Sequence, residues 1–144
     1  MPRLVAICAP AGYGKTTHLL KQGGHYLAFL PGEGSPEDLV RALWWTLRRE
    51  KPGGPPHRAF RELLTLLGDK EVHLAVDDVH YLTSEAGDYL LSLLHAPGVC
   101  LTVAGRDLVS LRSLPRLMAD GVAHVIEAED LVRLTGWCPQ PLDR

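Results

Sequence analysis

A glycine-rich loop between an apolar strand and a helix is the feature that most constrains the fold of this chain. Residues 3–8 (RLVAIC) form a short apolar run that predicts a buried strand, and residues 9–17 (APAGYGKTT) follow it directly. Gly12 and Gly14 allow the backbone to turn so that successive N–H groups point inward. The N-terminus of the next helix adds free N–H groups of its own. This unit predicts an α/β fold with a loop suited to anions.

The loop fits the phosphate-binding Walker A pattern, G-x-x-x-x-G-K-[ST], apart from Ala9, which stands where the first glycine is usual. Lys15 is predicted to place its charge between the β and γ phosphates of a nucleotide. Thr16 offers its hydroxyl to Mg²⁺, and Thr17 reaches the α phosphate. The residues predicted to bind nucleotide are Ala11, Gly12, Tyr13, Gly14, Lys15, Thr16 and Thr17.

The rest of the chain alternates strand patterns with helix patterns. Apolar runs predict further strands at residues 26–30, 72–76, 99–104 and 124–128. Apolar residues at helical spacing predict helices over residues 16–21, 35–50, 60–67, 84–95 and 111–118. This alternation predicts a parallel sheet with helices on both faces. We expect one P-loop domain over residues 1–135 and an irregular tail over residues 136–144, which contain Pro139 and Pro141.

An apolar strand that ends in two acids is the second signal, at residues 72–78 (VHLAVDD). A carboxylate in this position holds Mg²⁺ in P-loop ATPases, so Asp77 is the predicted metal ligand beside Thr16. Asp78 is the candidate catalytic carboxylate that polarises an attacking water. The separation from Lys15 suits a strand neighbouring the loop strand. A turn or a helix cap is the alternative interpretation of the acidic pair.

Arg106 lies just after the apolar strand at residues 99–104 and is the third signal. An arginine at the end of the strand beside the loop strand can sense a γ phosphate or stabilise charge in a transition state. Lys15, Asp78 and Arg106 are therefore the predicted catalytic residues. The alternative is a surface arginine paired with the acid that follows it. His80 is a weaker candidate, either orienting Asp78 or capping a turn.

Composition excludes several other classes of protein. The chain has 144 residues, 46% of them hydrophobic, and a formal net charge of −2, so it has neither a basic excess for nucleic acid nor an acidic tail. No apolar run reaches the length needed to span a membrane. Cys8, Cys100 and Cys138 are an odd number with no CxxC spacing, which argues against a disulfide framework or a zinc site. We therefore expect a cytoplasmic protein.

Taken together, the motifs resemble the STAND class of P-loop ATPases, and most of all the ATPase domain of large LuxR-type transcriptional activators of the maltose-regulon activator type. The resemblance rests on residues 9–17 (APAGYGKTT), 76–80 (VDDVH) and 104–106 (AGR) with 111–117 after them. Residues 130–135 (DLVRLT) are similar to the segment that leads into the next helix of the family. The family commonly lacks the first Walker glycine.

The resemblance implies a five-stranded core in the order 5-1-4-3-2 that binds ATP or ADP with Mg²⁺. It also implies a switch between an ADP-bound resting form and an ATP-bound form that assembles, with slow hydrolysis as the reset. Family members carry a helical lid, a winged-helix region, a sensor domain and a DNA-binding domain, none of which fits in 144 residues. We therefore expect no lid, an incomplete adenine pocket, no DNA binding by this chain, and exposed apolar surface suited to a homo-oligomer or a partner protein.

Two other functions stay open at the sequence level. The chain is alternatively a non-catalytic interaction module with weak or no nucleotide binding, for which Trp45 on the second helix supplies a contact surface. A small-molecule kinase also uses a P-loop in a short chain, but such enzymes usually need an arginine-rich lid. The nearest cluster here, Arg106, Arg112 and Arg116, is sparse.

Overall fold

The structure is a computed structural model that describes residues 2–135, so the predicted tail over residues 136–144 lies outside the described residues. Its centre is a sheet of five strands, all paired in parallel. The strands are β1 (Leu4–Cys8), β2 (His25–Ala28), β3 (Val72–Asp77), β4 (Val99–Gly105) and β5 (Ala123–Glu127). Their order is β2-β3-β4-β1-β5, which is 5-1-4-3-2 read from the opposite edge. The predicted α/β class with a parallel sheet is confirmed.

One expectation about neighbouring strands is wrong. The strand that ends at Asp77 does not adjoin the loop strand, because β4 lies between them: Ile7 of β1 pairs with Ala104, and Val76 of β3 pairs with Val103. Parallel strands are joined by crossover connections that pass over one face of the sheet. A crossover can return the chain on either side, so distance along the sequence does not determine which strands are adjacent.

Six helices connect and flank the strands in the described part of the chain. They are α1 (Lys15–Lys21), α2 (Pro36–Arg48), α3 (Pro56–Leu67), α4 (Ser84–Ser92), α5 (Leu114–Ala119) and α6 (Ala128–Thr135). The helix predicted over residues 84–95 is α-helical only as far as Ser92, and Leu93–His95 form a tighter 3₁₀ turn that leads toward β4. Over residues 2–135 no helix has the length and apolar character needed to cross a lipid bilayer.

Helix α2 begins where its sequence predicts. The Ser35 hydroxyl accepts a hydrogen bond from the Asp38 backbone N–H at 3.1 Å, and the Asp38 carboxylate accepts one from the Ser35 N–H at 3.3 Å. This capping box satisfies donors that a helix start leaves free. Farther along, buried Trp44 donates its indole N–H to the carbonyl oxygen of Ala59 at 2.9 Å. The bond joins α2 to α3 over the sheet.

The two faces of the sheet are covered unequally. Leu4, Leu74 and Leu101 belong to a large cluster that packs against α2, α3, α4 and α5. Ile7 belongs to a smaller cluster with Leu19 of α1 and Leu131 of α6, together with Ala75, Ala104 and Ile126 from the neighbouring strands. Small alanines on the second face let α1 lie close to the ends of β3 and β4. This close packing brings the start of α1 next to the last residue of β3.

Gly34 fixes the 3₁₀ turn at Val79–Tyr81, which follows the acidic pair. A Cβ on Gly34 would lie 1.9 Å from the carbonyl oxygen of Tyr81. The Gly34 carbonyl oxygen also accepts a hydrogen bond from the Thr83 N–H at 2.9 Å. The loop after β2 therefore packs directly against the backbone of His80 and Tyr81.

We predict that Gly34→Ala lowers the free energy of unfolding by about 1–3 kcal/mol, because the added methyl group must displace backbone. Chemical denaturation measures the effect. Gly53→Ala is the matched control, since a Cβ at Gly53 meets nothing within 4 Å. Equal stability of the two variants would contradict the close contact between Gly34 and Tyr81.

Candidate functional site

Three loops meet at the carboxyl ends of β1, β3 and β4 and line one open cleft of about 460 Å³. The residues that line it are Ala11, Gly12, Gly14, Lys15, Thr16, Thr17, Asp78, His80, Tyr81 and Arg106. Two cationic side chains and one carboxylate therefore share a single opening. The carboxyl ends of parallel strands are where α/β folds bind ligands. The three predicted catalytic residues, Lys15, Asp78 and Arg106, are all among the lining residues.

The loop between β1 and α1 needs glycine at two positions. Gly12 and Gly14 have φ angles of 88° and 80°, in the left-handed region that side chains other than glycine rarely adopt. Ala9 is buried and lies outside that region, so the missing first glycine costs the backbone nothing. Tyr13 packs its side chain against the smaller apolar cluster. Of the seven predicted binding residues, Tyr13 is the one that is not among the residues lining the cleft.

Lys15 is held by the loop from which it projects. Its side chain is only 8% exposed, and the ammonium group donates to the carbonyl oxygens of Ala9 at 2.5 Å and Pro10 at 2.9 Å. Burial lowers the pKa of Lys15, while the negative charges of Asp77 and Asp78 oppose this shift. The amine thus lies at the floor of the cleft with neutral acceptors around it. These acceptors are weaker partners than a phosphate oxygen would be.

Asp77 is a buried carboxylate held by three hydrogen bonds. It is 1% exposed, and its Oδ2 accepts from the Thr16 hydroxyl at 2.5 Å and from the Tyr26 hydroxyl at 2.9 Å. Its Oδ1 accepts from the backbone N–H of Asp78 at 2.9 Å. The two predicted metal-binding residues, Thr16 and Asp77, are therefore in direct contact. Tyr26 was not predicted from the sequence, where it looked like any aromatic residue of a short strand.

Asp78 sits in an unusual backbone conformation at the edge of the cleft. Its φ angle is 59°, in the left-handed region, where aspartate is more acceptable than most residues. This conformation ends β3 and starts the 3₁₀ turn at Val79–Tyr81. Burial raises the pKa of the Asp78 carboxyl, and the neighbouring charge of Asp77 raises it further. A raised pKa makes the carboxylate a stronger proton acceptor.

His80, two residues after Asp78, holds the backbone of Arg106. The Arg106 backbone N–H donates to Nδ1 of His80 at 3.1 Å, and the Arg106 side-chain Nε lies 3.4 Å from Nε2. Burial, and then the charge of Arg106, lower the pKa of His80, so the ring is neutral at neutral pH. A neutral imidazole accepts at only one ring nitrogen, and the shorter backbone bond takes that place. Nε2 then carries the ring hydrogen, so the exposed Arg106 guanidinium has no acceptor in His80 and the anchor is the Arg106 backbone.

The oxygen ligands at this site suit Mg²⁺. This ion prefers hard oxygen donors and is usually bound by one or two carboxylates together with substrate phosphates. The Thr16 hydroxyl and the Asp77 carboxylate supply such donors beside the cleft. No group of three or more His, Cys, Asp or Glu side chains able to hold a metal ion occurs among residues 2–135. Two oxygen donors, one of them a carboxylate, fit a metal whose remaining ligands are phosphates and water.

Comparison with known proteins shows the fold alone. No protein-family model matches the sequence, and no curated protein matches it. Among solved structures, a chain of Drosophila ORC bound to AT-rich DNA and Cdc6 is similar, with a TM-score of 0.61, 12% sequence identity and 87% of this chain covered. A chain of Drosophila ORC bound to GC-rich DNA and Cdc6 gives a TM-score of 0.58 with the same identity and coverage. This chain spans 48% of each neighbour's length, and the likeness shows a shared fold.

We predict that Asp78→Asn raises the unfolding temperature of the ligand-free chain at neutral pH. The fold disfavours the ionised Asp78 carboxylate, and asparagine also accepts the left-handed backbone. Because the pKa of Asp78 is raised above its ordinary value of 3.8, the destabilisation disappears as pH falls from the raised value through 3.8. Thermal unfolding across this pH range measures the gain, which should shrink toward acid.

Asp69→Asn is the matched control for Asp78→Asn, because Asp69 is exposed and the net charge changes by the same amount. An equal gain in both variants would show that long-range charge is responsible. No gain in Asp78→Asn would contradict the unfavourable setting of the carboxylate.

Proposed function

We propose that this chain is a Mg²⁺-dependent ATP- and ADP-binding P-loop domain that hydrolyses ATP slowly. We further propose that it acts as the switch of a signal-responsive transcriptional regulator of the STAND type. The observation that carries the proposal is the meeting of Lys15, the Thr16–Asp77 pair, Asp78 and Arg106 at one cleft. Such a set matches the parts that phosphoryl transfer needs: a phosphate cradle, a metal ligand, a water-activating carboxylate and a cation.

Phosphate binding is assigned to the loop before α1. The positive φ angles of Gly12 and Gly14 support a backbone that wraps around a nucleotide's phosphates. Lys15 gives up its bonds to the Ala9 and Pro10 carbonyl oxygens and pairs with the β and γ phosphates. Thr17, which is exposed in the cleft, binds the α phosphate.

Hydrolysis is assigned to Asp78 and Arg106. Asp78 accepts a proton from the attacking water, a role that its raised pKa favours. Arg106, anchored through its backbone to His80, turns its guanidinium toward the charge that develops on the γ phosphate. Thr16 and Asp77 hold Mg²⁺, which when bound neutralises charge on the β and γ phosphates. The open cleft, with no lid over it among residues 2–135, is consistent with slow turnover.

The regulatory part of the proposal is supported by the resemblance of residues 9–17, 76–80 and 104–106 to STAND ATPase domains. The similar solved structures are structures of Drosophila ORC bound to DNA and Cdc6. For this chain we propose assembly with a second copy or with another protein in the cytoplasm, without direct contact to DNA. Trp45, which is 53% exposed on α2, offers apolar surface for such a contact. The kinase alternative loses support, since Arg112 pairs with Asp88 of α4 instead of lining the cleft.

We predict that MgADP and MgATP raise the unfolding temperature of the chain and that Lys15→Ala abolishes the rise. Ligand at 100 times its Kd adds about 2.7 kcal/mol of stability. This corresponds to a shift of roughly 2–8 °C for a domain of this size. Thermal unfolding with increasing nucleotide is the measurement. Lys21→Ala is the matched control, because Lys21 is an exposed lysine on the same helix.

Three outcomes of this titration are distinct. A shift that is lost in Lys15→Ala and kept in Lys21→Ala supports the P-loop site. No shift with the unmodified chain at millimolar nucleotide contradicts nucleotide binding and favours the non-catalytic interaction module. A shift that survives in Lys15→Ala places the nucleotide elsewhere on the molecule.

We predict that Arg106→Ala lowers the rate of phosphate release from MgATP by about 100-fold, the usual cost of losing one group that stabilises transition-state charge. The MgADP-induced rise in unfolding temperature should persist, since Arg106 acts on the γ phosphate. A phosphate-release assay under single-turnover conditions measures the rate. Arg116→Ala on α5 is the matched control, because its exposed guanidinium is outside the set of residues that line the cleft. An unchanged rate in Arg106→Ala would contradict its catalytic role.

A further inference from the structure

Tyr26 reaches the acidic end of β3 from the edge strand of the sheet. In the register of β2 with β3, Tyr26 pairs with Ala75 and Ala28 pairs with Asp77. Side chains alternate along a strand, so Tyr26 and Asp77 point to the same face of the sheet, two residues apart along the strand direction. That diagonal distance is within reach of an aromatic side chain. The phenol ring therefore extends along the sheet toward the Asp77 carboxylate.

The Tyr26 hydroxyl shares one oxygen of Asp77 with Thr16. Tyr26 donates to Oδ2 at 2.9 Å, and Thr16 donates to the same atom at 2.5 Å. The Asp78 N–H holds the other oxygen, Oδ1, at 2.9 Å. Of these donors, the Thr16 hydroxyl and the Asp78 residue line the cleft, whereas Tyr26 packs against the smaller apolar cluster beneath α1. The phenol thus approaches Asp77 from the side of this apolar cluster, where Tyr26 is partly buried.

Tyr26 serves the carboxylate without taking part in the opening itself. Its hydroxyl donates to Asp77, and Tyr26 is not among the residues that line the cleft. Thr16 differs, because its hydroxyl is exposed to the cleft and is also the predicted metal ligand.

We propose that Tyr26 is a positioning residue that holds the Asp77 carboxylate in the orientation needed to bind Mg²⁺. The proposal rests on the proposed function, in which the metal arrives with nucleotide phosphates. Partners that hydrogen-bond to a metal-binding carboxylate orient it and strengthen metal binding. Tyr26 supplies such a bond from a different strand than the one that carries Asp77, so the packing of β2 against β3 contributes to the metal site.

The test is Tyr26→Phe, which removes the hydroxyl and keeps the ring. The rise in unfolding temperature caused by saturating ADP is measured as the Mg²⁺ concentration is increased. We expect the Mg²⁺ concentration that gives half of the rise to increase by about 10-fold, in line with the loss of a partner behind a metal ligand. At saturating Mg²⁺ the full rise should return, because the loop residues that hold the phosphates are unchanged.

Tyr89→Phe is the matched control. Tyr89 lies on α4 with its ring edge against Phe60 at a centroid distance of 5.1 Å, and it packs against the larger cluster on the opposite face of the sheet. Its Mg²⁺ dependence should equal that of the unmodified chain. Thermal unfolding without ligand reports any general loss of stability in either variant, so a misfolded protein is recognised separately.

Each outcome decides the matter. An unchanged or lower Mg²⁺ requirement in Tyr26→Phe overturns the positioning role and leaves nucleotide binding intact. A rise that saturating Mg²⁺ cannot restore also overturns it, since the hydroxyl would then support the fold of the whole site. If ADP with Mg²⁺ fails to stabilise the unmodified chain, the proposed function itself fails and the role of Tyr26 fails with it.

Discussion

The buried carboxylate of Asp77 is the constraint on which the arrangement of the site depends. A charge that is 1% exposed is tolerated only when hydrogen bonds replace the water it has lost. Here the donors come from three places: the start of α1 through Thr16, the edge strand through Tyr26, and the next residue through the Asp78 N–H. Satisfying one buried charge therefore fixes how the first helix, the edge strand and the acidic turn meet.

Lys15 and Arg106, the two cationic side chains that line the cleft, both contact neutral groups. The Lys15 ammonium is bonded to neutral carbonyl oxygens of its own loop, and the Arg106 guanidinium makes one long contact with His80. Phosphate oxygens are stronger acceptors for both groups because they carry charge. Asp78 keeps a left-handed backbone, and burial raises the pKa of its carboxyl. Each carries a free-energy cost that the surrounding packing must offset. A local loss of stability at such positions is typical of sites that act on a ligand.

Much of the fold was predictable because its signals are local. The apolar runs, the Ser35 capping box and the glycines of the first loop each depend on neighbours within a few residues, and the α/β class with a parallel sheet is confirmed. The candidate residues Lys15, Asp78 and Arg106 do line one cleft, while their chemical roles stay predictions. Residue spacing alone placed the acidic strand beside the loop strand, which is wrong, because crossover connections leave no trace in residue spacing. The strand order that the resemblance implies does have β4 between β1 and β3.

The sequence by itself determined the strand–loop–helix unit, the acidic strand end and the arginine after the following strand. These features follow from backbone freedom at glycine and from the periodicity of apolar residues. Only the tertiary structure decided that Tyr26 would share Asp77 with Thr16, and that His80 would anchor Arg106. These contacts join residues 51, 61 and 26 positions apart, and they exist because parallel pairing in one register brings distant strand ends to the same edge of the sheet.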